Sequence, residues 1–339
     1  MKAFHVVFSE KNVASYIEFS LSDPKDDEIL VRSTYSLISS GTEKAQLAGM
    51  PNTPCKFPFI PGYSIVGIVE KVGKKVSDFK EGDRVFVPNA GHSNYALKKA
   101  SYCVHVPDEV DFKNAVFTRV ASFPLLAFRQ SQFELGESVA IVGLGMLGLF
   151  AVQFAKIAGA KPIIAIGNRE IRQDFAKKFG ADFVLSPSDP ALVETVLEVT
   201  GKKWNEKVHG ADVILETSGS EDGLLSALKY AARHARVMVN GCNRIMSHPI
   251  DIYKYIHIRG VSLIGAHDHT RYQYNSAKFN WTAKKDYMTI LDYMRNQSID
   301  GMSLISRIVS PFSASNIYNE LLNSKDFPLG VLFDYSIQE

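Results

Sequence analysis

The sequence predicts an α/β fold in which a β-rich unit is combined with a doubly wound parallel sheet. Three observations support this prediction. The chain has 339 residues, which suggests about two domains at roughly 150 residues each. The part before residue 108 reads as short strands and turns, whereas strands and helices alternate from residue 137 onward. A glycine-rich segment, Gly143-Leu144-Gly145-Met146-Leu147-Gly148, follows the first strand of the alternating part.

The N-terminal part is predicted to be β-rich because its apolar residues alternate or are β-branched, and few helical periods occur before residue 108. A loop with four prolines interrupts it, since proline lacks the N–H donor that regular structure uses. The expected strands and this loop are, in order, residues 2–8, 12–19 and 28–39, the loop from Pro51 to Pro61, and residues 63–72 and 83–88.

From residue 137 onward, buried strands alternate with helices, which is typical of a parallel sheet with crossover helices. The predicted strands are residues 138–142, 162–166, 182–185, 211–216, 236–240 and 261–265. The predicted helices are residues 146–158, 171–179, 189–201 and 221–232. A last apolar strand at 330–333 indicates that the tail returns to the first unit. We therefore expect one domain over 1–120, completed by 267–339, a second over 121–266, and a ligand cleft between them.

Composition excludes several classes of function. The 38 Lys and Arg nearly balance the 36 Asp and Glu, so the net charge of +2 gives no field that would recruit nucleic acid or an anionic membrane. Cys55, Cys103 and Cys242 show no CxxC spacing, which argues against a disulfide framework and a four-cysteine zinc lobe. No apolar run reaches the roughly 18 residues of a membrane span, and no signal-peptide core is seen. We expect a cytoplasmic protein that acts on a small molecule.

The glycine-rich segment fits the GxGxxG pattern in the context that gives the pattern meaning, directly after a strand and at the start of a helix. Gly143 permits the tight turn, Gly145 lets the backbone approach a pyrophosphate, and Gly148 lets the helix pack close to the strand. The N–H groups of Met146 and Leu147 at the helix N-terminus then face the phosphates. The segment therefore predicts a dinucleotide site.

The end of the second strand distinguishes the two nicotinamide cofactors. An NAD site has an acidic residue there, whereas an NADP site has a small residue and a nearby Arg for the extra phosphate. Here the strand is followed by Gly167-Asn168-Arg169, which favours NADP(H) over NAD(H), although Arg169 is also compatible with a solvated helix start. Ser218, Gly219 and Gly241 follow later strands and are predicted to contact the cofactor as well.

Several blocks occur in a fixed order along the chain, namely Gly41-Thr42-Glu43, Pro61-Gly62-Tyr63-Ser64-Ile65-Val66-Gly67, Gly82-Asp83-Arg84-Val85, Val106-Pro107-Asp108, Leu135-Gly136-Glu137-Ser138-Val139, the dinucleotide motif and Glu216-Thr217-Ser218-Gly219. Taken together, they resemble the medium-chain dehydrogenase/reductase superfamily. The runs Ser39-Ser40-Gly41-Thr42-Glu43 and Ile264-Gly265-Ala266-His267 are similar to a branch with threonine-dehydrogenase-like and bacteriochlorophyllide-dehydrogenase-like members. The resemblance implies a GroES-like catalytic domain, a Rossmann domain, hydride transfer, and homodimers (or tetramers) joined through Rossmann edge strands near residues 261–265.

The chain departs from the zinc-dependent members of that superfamily at the metal ligands. Aligned on the blocks, Ser40 stands at the Cys position, Tyr63 at the His position, Ser64 at the adjoining Glu position and Arg119 at the further ligand position. Zinc prefers thiolate, imidazole and carboxylate donors, which these residues lack. We therefore expect no catalytic zinc, and no structural zinc either because residues 88–104 contain a single cysteine, Cys103.

Without a metal, hydrogen-bond donors have to stabilise the charge that develops on the substrate oxygen. The resemblance places the Thr42 hydroxyl in a proton relay, and Tyr63 is expected in the same space. A neighbouring cation favours the charged form of a tyrosine, and Arg119 is the candidate for that cation or for a clamp on an anionic substrate group. Ser40, Tyr95 and His267 are predicted to line the substrate side. Each residue also has an ordinary structural interpretation, such as a turn cap or a strand aromatic.

Three functions remain open at this stage. The leading hypothesis is a zinc-independent oxidoreductase that interconverts a secondary alcohol, such as a polyol, sugar-like compound or specialised metabolite, and its ketone. The alternatives are an NADPH-dependent reductase of quinone or enone C=C bonds, and a non-catalytic NADP(H)-binding sensor. No GxSxG, HExxH or Walker motif supports another enzyme class.

Overall fold

The computed structural model describes residues 2–244 and 249–337 and divides the chain into two compact units. The first unit contains residues 1–120 and 287–339, and the second contains residues 121–286. Within the described part, no helix has both the length and the apolar character needed to cross a bilayer. The predicted combination of a β-rich unit and a parallel-sheet unit is confirmed.

The first unit is built on a largely antiparallel seven-stranded sheet with strand order β14-β15-β3-β4-β5-β7, and β6 pairs with β3. β1 and β2 form a separate hairpin ladder. Tail strand β15 pairs antiparallel with β3, so the predicted return of the tail is observed. The strands are β1 (Ala3–Glu10), β2 (Val13–Phe19), β3 (Glu28–Leu37), β4 (Ser64–Val72), β5 (Arg84–Pro88), β6 (Tyr95–Lys99), β7 (Val104–His105), β14 (Ile305–Val309) and β15 (Gly330–Asp334).

Three helices lie wholly in this unit, and two more each span a boundary between the units. They are α1 (Ser40–Leu47), α2 (Phe112–Ala115), α3 (Thr118–Gln130), α9 (Ala283–Arg295) and α10 (Ala314–Asn323). Helix α1 corrects the expectation of a strand over 28–39 with few helices before residue 108, because β3 ends at Leu37 and a helix begins three residues later. The buried residues of α1 are Glu43, Ala45 and Leu47. Because one of the three is a carboxylate, the apolar periodicity that would predict the helix is weak.

The second unit contains a six-stranded parallel sheet in the order β10-β9-β8-β11-β12-β13. Counted from its first strand, this is the 3-2-1-4-5-6 order of the Rossmann fold. Its strands are β8 (Val139–Val142), β9 (Ile163–Ile166), β10 (Phe183–Leu185), β11 (Ala211–Glu216), β12 (Ala231–Val239) and β13 (Ser262–Gly265). Its helices are α4 (Met146–Ala158), α5 (Glu170–Phe179), α6 (Leu192–Lys203), α7 (Glu221–Lys229) and α8 (Ile252–Tyr255).

Several boundaries in this part of the chain differ from expectation. Strand β12 begins at Ala231 instead of residue 236. Helix α7 ends at Lys229 instead of residue 232, because the chain enters β12 at Ala231. The chain returns to the first unit at Tyr287, not at residue 267. The intervening segment is fixed to the second unit by the buried carboxylate of Asp286, which binds Arg129 (Nε to Oδ1, 2.7 Å) and Arg271. Charged partners buried in this way are not apparent from hydropathy.

Candidate active site

Tyr63 immediately precedes β4, and its phenol is held by the hydroxyl groups of two residues in or next to α1. The Tyr63 hydroxyl donates to the Ser39 hydroxyl, and the Thr42 hydroxyl also forms a hydrogen bond with the phenol. Ser39 is the N-cap residue of α1, yet its side chain caps no backbone N–H of that helix. Its hydroxyl is used for Tyr63 instead, so the beginning of α1 is shaped around the phenol.

Arg119 places a cation beside this phenol. Its guanidinium carbon lies 5.9 Å from the centroid of the Tyr63 ring and 5.9 Å from that of Tyr287, within cation–π range of both. The residue is the second of α3 and is only 5% exposed. The predicted trio of Thr42, Tyr63 and Arg119 is thus brought together within the first unit. Its catalytic role stays a prediction.

The expectation that a cation would favour ionised Tyr63 is not met by the balance of effects. Burial raises the pKa of Tyr63 to about 12, and the charge of Glu43 acts in the same direction. The hydrogen bonds from Ser39 and Thr42 and the charge of Arg119 lower the pKa, but the cost of desolvating a phenolate outweighs them. Tyr63 is therefore a protonated acid at neutral pH.

The residues at the positions of the zinc ligands do not offer donors that suit zinc. Besides Tyr63 and Arg119, Ser64 is buried, with its hydroxyl donated to the carbonyl of Val116, and Ser40 is the first residue of α1. Cys103 packs in the apolar core under β3 and β4. Among residues 2–244 and 249–337, no three His, Cys, Asp or Glu side chains are grouped as metal ligands would be. Hydroxyl and guanidinium groups fit zinc poorly.

The three residues predicted on the substrate side are scattered. Ser40 is adjacent to the cluster in sequence, but it is Ser39 that contacts Tyr63. Tyr95 pairs with Arg32 in the ladder of β3 and β6. His267 belongs to the second unit, where its Nδ1 accepts the N–H of His269 at 3.2 Å. Their roles remain predictions.

The glycine-rich segment forms a tight junction between β8 and α4, as predicted. Gly143 has φ +94°, and a Cβ there would meet the backbone N of Ser218 at 2.7 Å. A Cβ at Gly148 would approach the carbonyl oxygen of Gly143 to 1.9 Å. At Gly145, by contrast, no heavy atom of the described residues would lie within 4 Å of a Cβ. Open space at the N-cap of a 13-residue helix fits the approach of a pyrophosphate.

The segment after β9 carries the residues expected to select the cofactor. Gly167 is fixed by hydrogen bonds at both peptide groups, from its N–H to Leu185 (3.0 Å) and from the Gln173 amide to its carbonyl (2.7 Å). Asn168 follows, and Arg169 is the N-cap residue of α5. No carboxylate stands at residues 167–169. This composition suits a 2′-phosphate better than a ribose that needs an acidic partner.

The ends of β11 and β12 complete the same edge of the sheet. The buried carboxylate of Glu216 accepts the N–H groups of Ser218 (2.8 Å) and Gly219 (3.1 Å), and burial raises its pKa. Gly219 has φ +65°, and a Cβ at Gly241 would come within 2.3 Å of its backbone N. The predicted cofactor residues therefore line the carboxyl edge of four neighbouring strands, where dinucleotides bind in this fold.

Sequence reasoning missed the residues that support Tyr63. Ser39, Glu43 and His92 were not selected, nor was Tyr287 beyond Arg119. Glu43 is fully buried, and its Oε1 accepts the N–H of Ser39 at 2.8 Å. The run Ser40-Gly41-Thr42-Glu43 fits the S/T-x-x-E pattern that is typical of a helix start, and it was the available signal for α1.

Comparisons with known proteins agree with this architecture. Two family models match: an alcohol dehydrogenase GroES-like domain over residues 25–119 and a zinc-binding dehydrogenase domain over residues 147–278. D-guloside 3-dehydrogenase of Escherichia coli is 28% identical over 284 residues, which cover 80% of this chain and 77% of that protein. Quinone oxidoreductase of Sus scrofa is 29% identical over 248 residues, covering 71% and 73%.

Solved structures show the same fold. A Sinorhizobium meliloti protein described as a zinc-binding dehydrogenase, solved with NADP, superposes with a TM-score of 0.83. The match covers 98% of this chain and 99% of that chain at 20% identity, and it bears on the fold alone.

Proposed function

Because the chain belongs to the medium-chain dehydrogenase/reductase superfamily, a superfamily of oxidoreductases, we propose that it interconverts a secondary alcohol and its ketone with NADP(H) and without zinc. One observation carries the proposal. A protonated tyrosine, held by two hydroxyls and flanked by an arginine, stands where zinc-dependent members have a metal-binding histidine.

The nucleotide edge of the second unit fits a nicotinamide dinucleotide. The open space at Gly145 and the start of α4 would hold the pyrophosphate, and Gly167 with Arg169 would hold the 2′-phosphate. A protein of the same fold has been solved with NADP. When bound, such a cofactor supplies the hydride that reduces a carbonyl carbon, or accepts it in the reverse reaction.

Tyr63 would supply the proton that ketone reduction also consumes. Its hydroxyl transfers H⁺ to the carbonyl oxygen, so the product is a secondary alcohol and the side chain is left as a phenolate. The hydroxyls of Ser39 and Thr42 then stabilise the phenolate by donating to it. Arg119 stabilises the same negative charge from the ring face.

The relatives support a class of substrate for this proposal. The name of D-guloside 3-dehydrogenase refers to position 3 of a sugar, which bears a secondary alcohol. The resemblance of the sequence also favours polyol or sugar-like substrates. A second candidate, reduction of quinone or enone C=C bonds, is favoured by the similarity to quinone oxidoreductase. A homodimer or a homotetramer, and a cytoplasmic location, remain further parts of the proposal.

The decisive experiment measures cofactor, product and metal in one series. NADPH and NADH are titrated separately against the wild type and Arg169→Ala, and ketone and enone panels are then assayed with and without a chelator. We expect tighter binding of NADPH, a loss of that preference in Arg169→Ala, alcohol products, and turnover that survives chelation. A saturated ketone formed from an enone would support the second candidate. One zinc per subunit, with activity silenced reversibly by chelation, would overturn the proposed chemistry.

A further inference from the structure

A chain of buried polar groups lies behind Tyr63, and nothing in the proposed reaction uses it directly. Glu43, His92, Ser36 and Tyr318 are all fully buried in the first unit. Burial of so many polar side chains is costly unless every member is hydrogen-bonded, and here each is. Such a network is retained only if the fold or the chemistry depends on it.

Glu43 is the centre of this chain. Its Oε1 accepts the N–H of Ser39 at 2.8 Å, and its Oε2 accepts the Tyr318 hydroxyl at 2.6 Å and faces His92 Nε2 at 3.1 Å. As an acceptor, the carboxylate assigns the proton of His92 to Nε2. Nδ1 of His92 is then the acceptor for the Ser36 hydroxyl at 2.7 Å, and Ser36 lies 2.8 Å from the Tyr335 hydroxyl.

The backbone is built to bring His92 to this position. Gly62, the residue before Tyr63, has φ +100°, and a Cβ there would lie 2.7 Å from the His92 ring. The N–H of His92 also donates to the carbonyl of Pro61 at 2.8 Å. The imidazole is therefore packed directly against the turn that carries the tyrosine.

We infer that Glu43 is a positioning residue for Tyr63, acting through Ser39. The carboxylate holds the backbone of Ser39, and the hydroxyl of Ser39 receives the Tyr63 hydroxyl. His92 and Tyr318 hold the other oxygen of the carboxylate, so the orientation of Glu43 is itself fixed. This inference rests on the proposed role of Tyr63 as proton donor, because only that role makes its exact orientation matter for turnover.

Charge gives the inference a second observable. The negative charge of Glu43 raises the pKa of Tyr63, in opposition to Arg119, Ser39 and Thr42. Burial raises the pKa values of Tyr318 and Tyr335, which also interact with Glu43, so both remain protonated. The ring of His92 contacts the Glu43 carboxylate directly. Glu43→Gln retains the shape of the side chain and removes its charge. The pKa of Tyr63 should therefore fall in that variant.

The test is a double-mutant cycle with a spectroscopic readout. Glu43→Gln, Ser39→Ala and the double variant are compared for ketone reduction. Tyr318→Phe, which removes a buried hydrogen bond at the same carboxylate but keeps its charge, is the matched control for the titration described below. We expect Glu43→Gln to lower kcat by about tenfold to a hundredfold with the KM for NADPH unchanged, and most of this effect to vanish in the Ser39→Ala background. Ser39→Ala removes the hydroxyl that receives the Tyr63 hydroxyl and leaves the charge of Glu43 unchanged. It is therefore the informative variant if Glu43→Gln folds poorly.

The second readout does not need turnover. With 3-fluorotyrosine incorporated throughout and the signal of residue 63 assigned by its loss in Tyr63→Phe, its ¹⁹F shift is titrated with pH. The titration should move to lower pH in Glu43→Gln and stay in place in Tyr318→Phe. Additive kinetic effects of Glu43→Gln and Ser39→Ala, or equal titration shifts in Glu43→Gln and Tyr318→Phe, would overturn the inference. If Tyr63→Phe keeps full activity, but the titration of Tyr63 still moves to lower pH in Glu43→Gln, the proposed function fails and the coupling between Glu43 and Tyr63 stands.

Discussion

The protonation of Tyr63 is decided by the difference between large opposing effects on one side chain. Two hydroxyls and a guanidinium favour the phenolate, but burial and Glu43 favour the phenol and raise its pKa to about 12. A raised pKa means that the folded protein keeps the proton over the range in which a solvent-exposed tyrosine near pKa 10 loses it. At neutral pH Tyr63 is consequently present in the protonated form that ketone reduction requires.

This balance predicts the pH dependence of ketone reduction. With saturating NADPH, kcat should show no loss attributable to Tyr63 between pH 6 and about 10 and should fall only as the pH rises toward the pKa of about 12. Tyr63→Phe should lower kcat by about 10²- to 10⁴-fold, because general acid catalysis contributes on that order. The exposed Tyr102 provides the control, since Tyr102→Phe should behave as the wild type. A descending limb centred near neutral pH would assign proton donation to another group.

Thr42, Tyr63 and Arg119 could be selected from the sequence because they stand at fixed distances from recognisable blocks. The structure brings the three side chains together in the first unit, as predicted. His92 and Tyr318 could not be selected, because their contacts with Glu43 join segments far apart in the chain. His92 meets Glu43 across 49 positions and Tyr318 meets it across 275, and no local pattern encodes such a pairing.

Among the elements, most strands and helices of the second unit were predictable because they show a clear apolar pattern, and some end at a glycine, as α4 does at Gly159 and α5 at Gly180. Helix α1 was not, because its buried face includes a carboxylate. The segment up to Asp286 was assigned to the wrong side of a boundary for a related reason. Buried ion pairs with Arg129 and Arg271 hold it to the second unit, and charged residues normally indicate surface.

The junction between β8 and α4 predicts opposite outcomes for two glycine substitutions three residues apart. In Gly148→Ala the new Cβ meets the Gly143 carbonyl oxygen at 1.9 Å, so the junction must distort and the melting temperature should fall. Gly145 has a negative φ of −77° and open space around its Cα, so Gly145→Ala should fold as the wild type. Its methyl would occupy the space for the pyrophosphate, and NADPH affinity should fall at least about tenfold, equivalent to about 1.4 kcal/mol.

Thermal denaturation without cofactor and NADPH titration by fluorescence separate these two effects. Gly145→Ala should combine an unchanged melting temperature with weak binding, and Gly148→Ala should lose stability before cofactor is added. Normal NADPH affinity in Gly145→Ala would show that the phosphates bind elsewhere on the second unit.

At the scale of the whole molecule, the family was recognisable because its blocks are spread over both units and occur in the expected order. Many residues therefore contribute to the prediction of the fold class, which the structure confirms. Substrate and metal content depend instead on a few side chains, and those differ from the residues of the zinc-dependent members. The assembly of subunits is a question of the same scale, because it depends on surfaces instead of motifs.

The edge strand β13 predicts how two copies associate. It is the last strand of the parallel sheet, and large apolar side chains on it and on the segment before it are exposed, namely Ile252, Tyr253, Ile258 and Leu263. An unpaired edge with apolar neighbours is suited to pair with the same edge of a second copy. Leu263→Lys places a charge in that contact and should convert a dimer to a monomer in light scattering coupled to size exclusion. Leu135→Lys, at a side chain that is 86% exposed in the same unit, is the matched control and should leave the dimer intact. Dimers that persist in Leu263→Lys, or a monomeric wild type at micromolar concentration, would contradict association through β13.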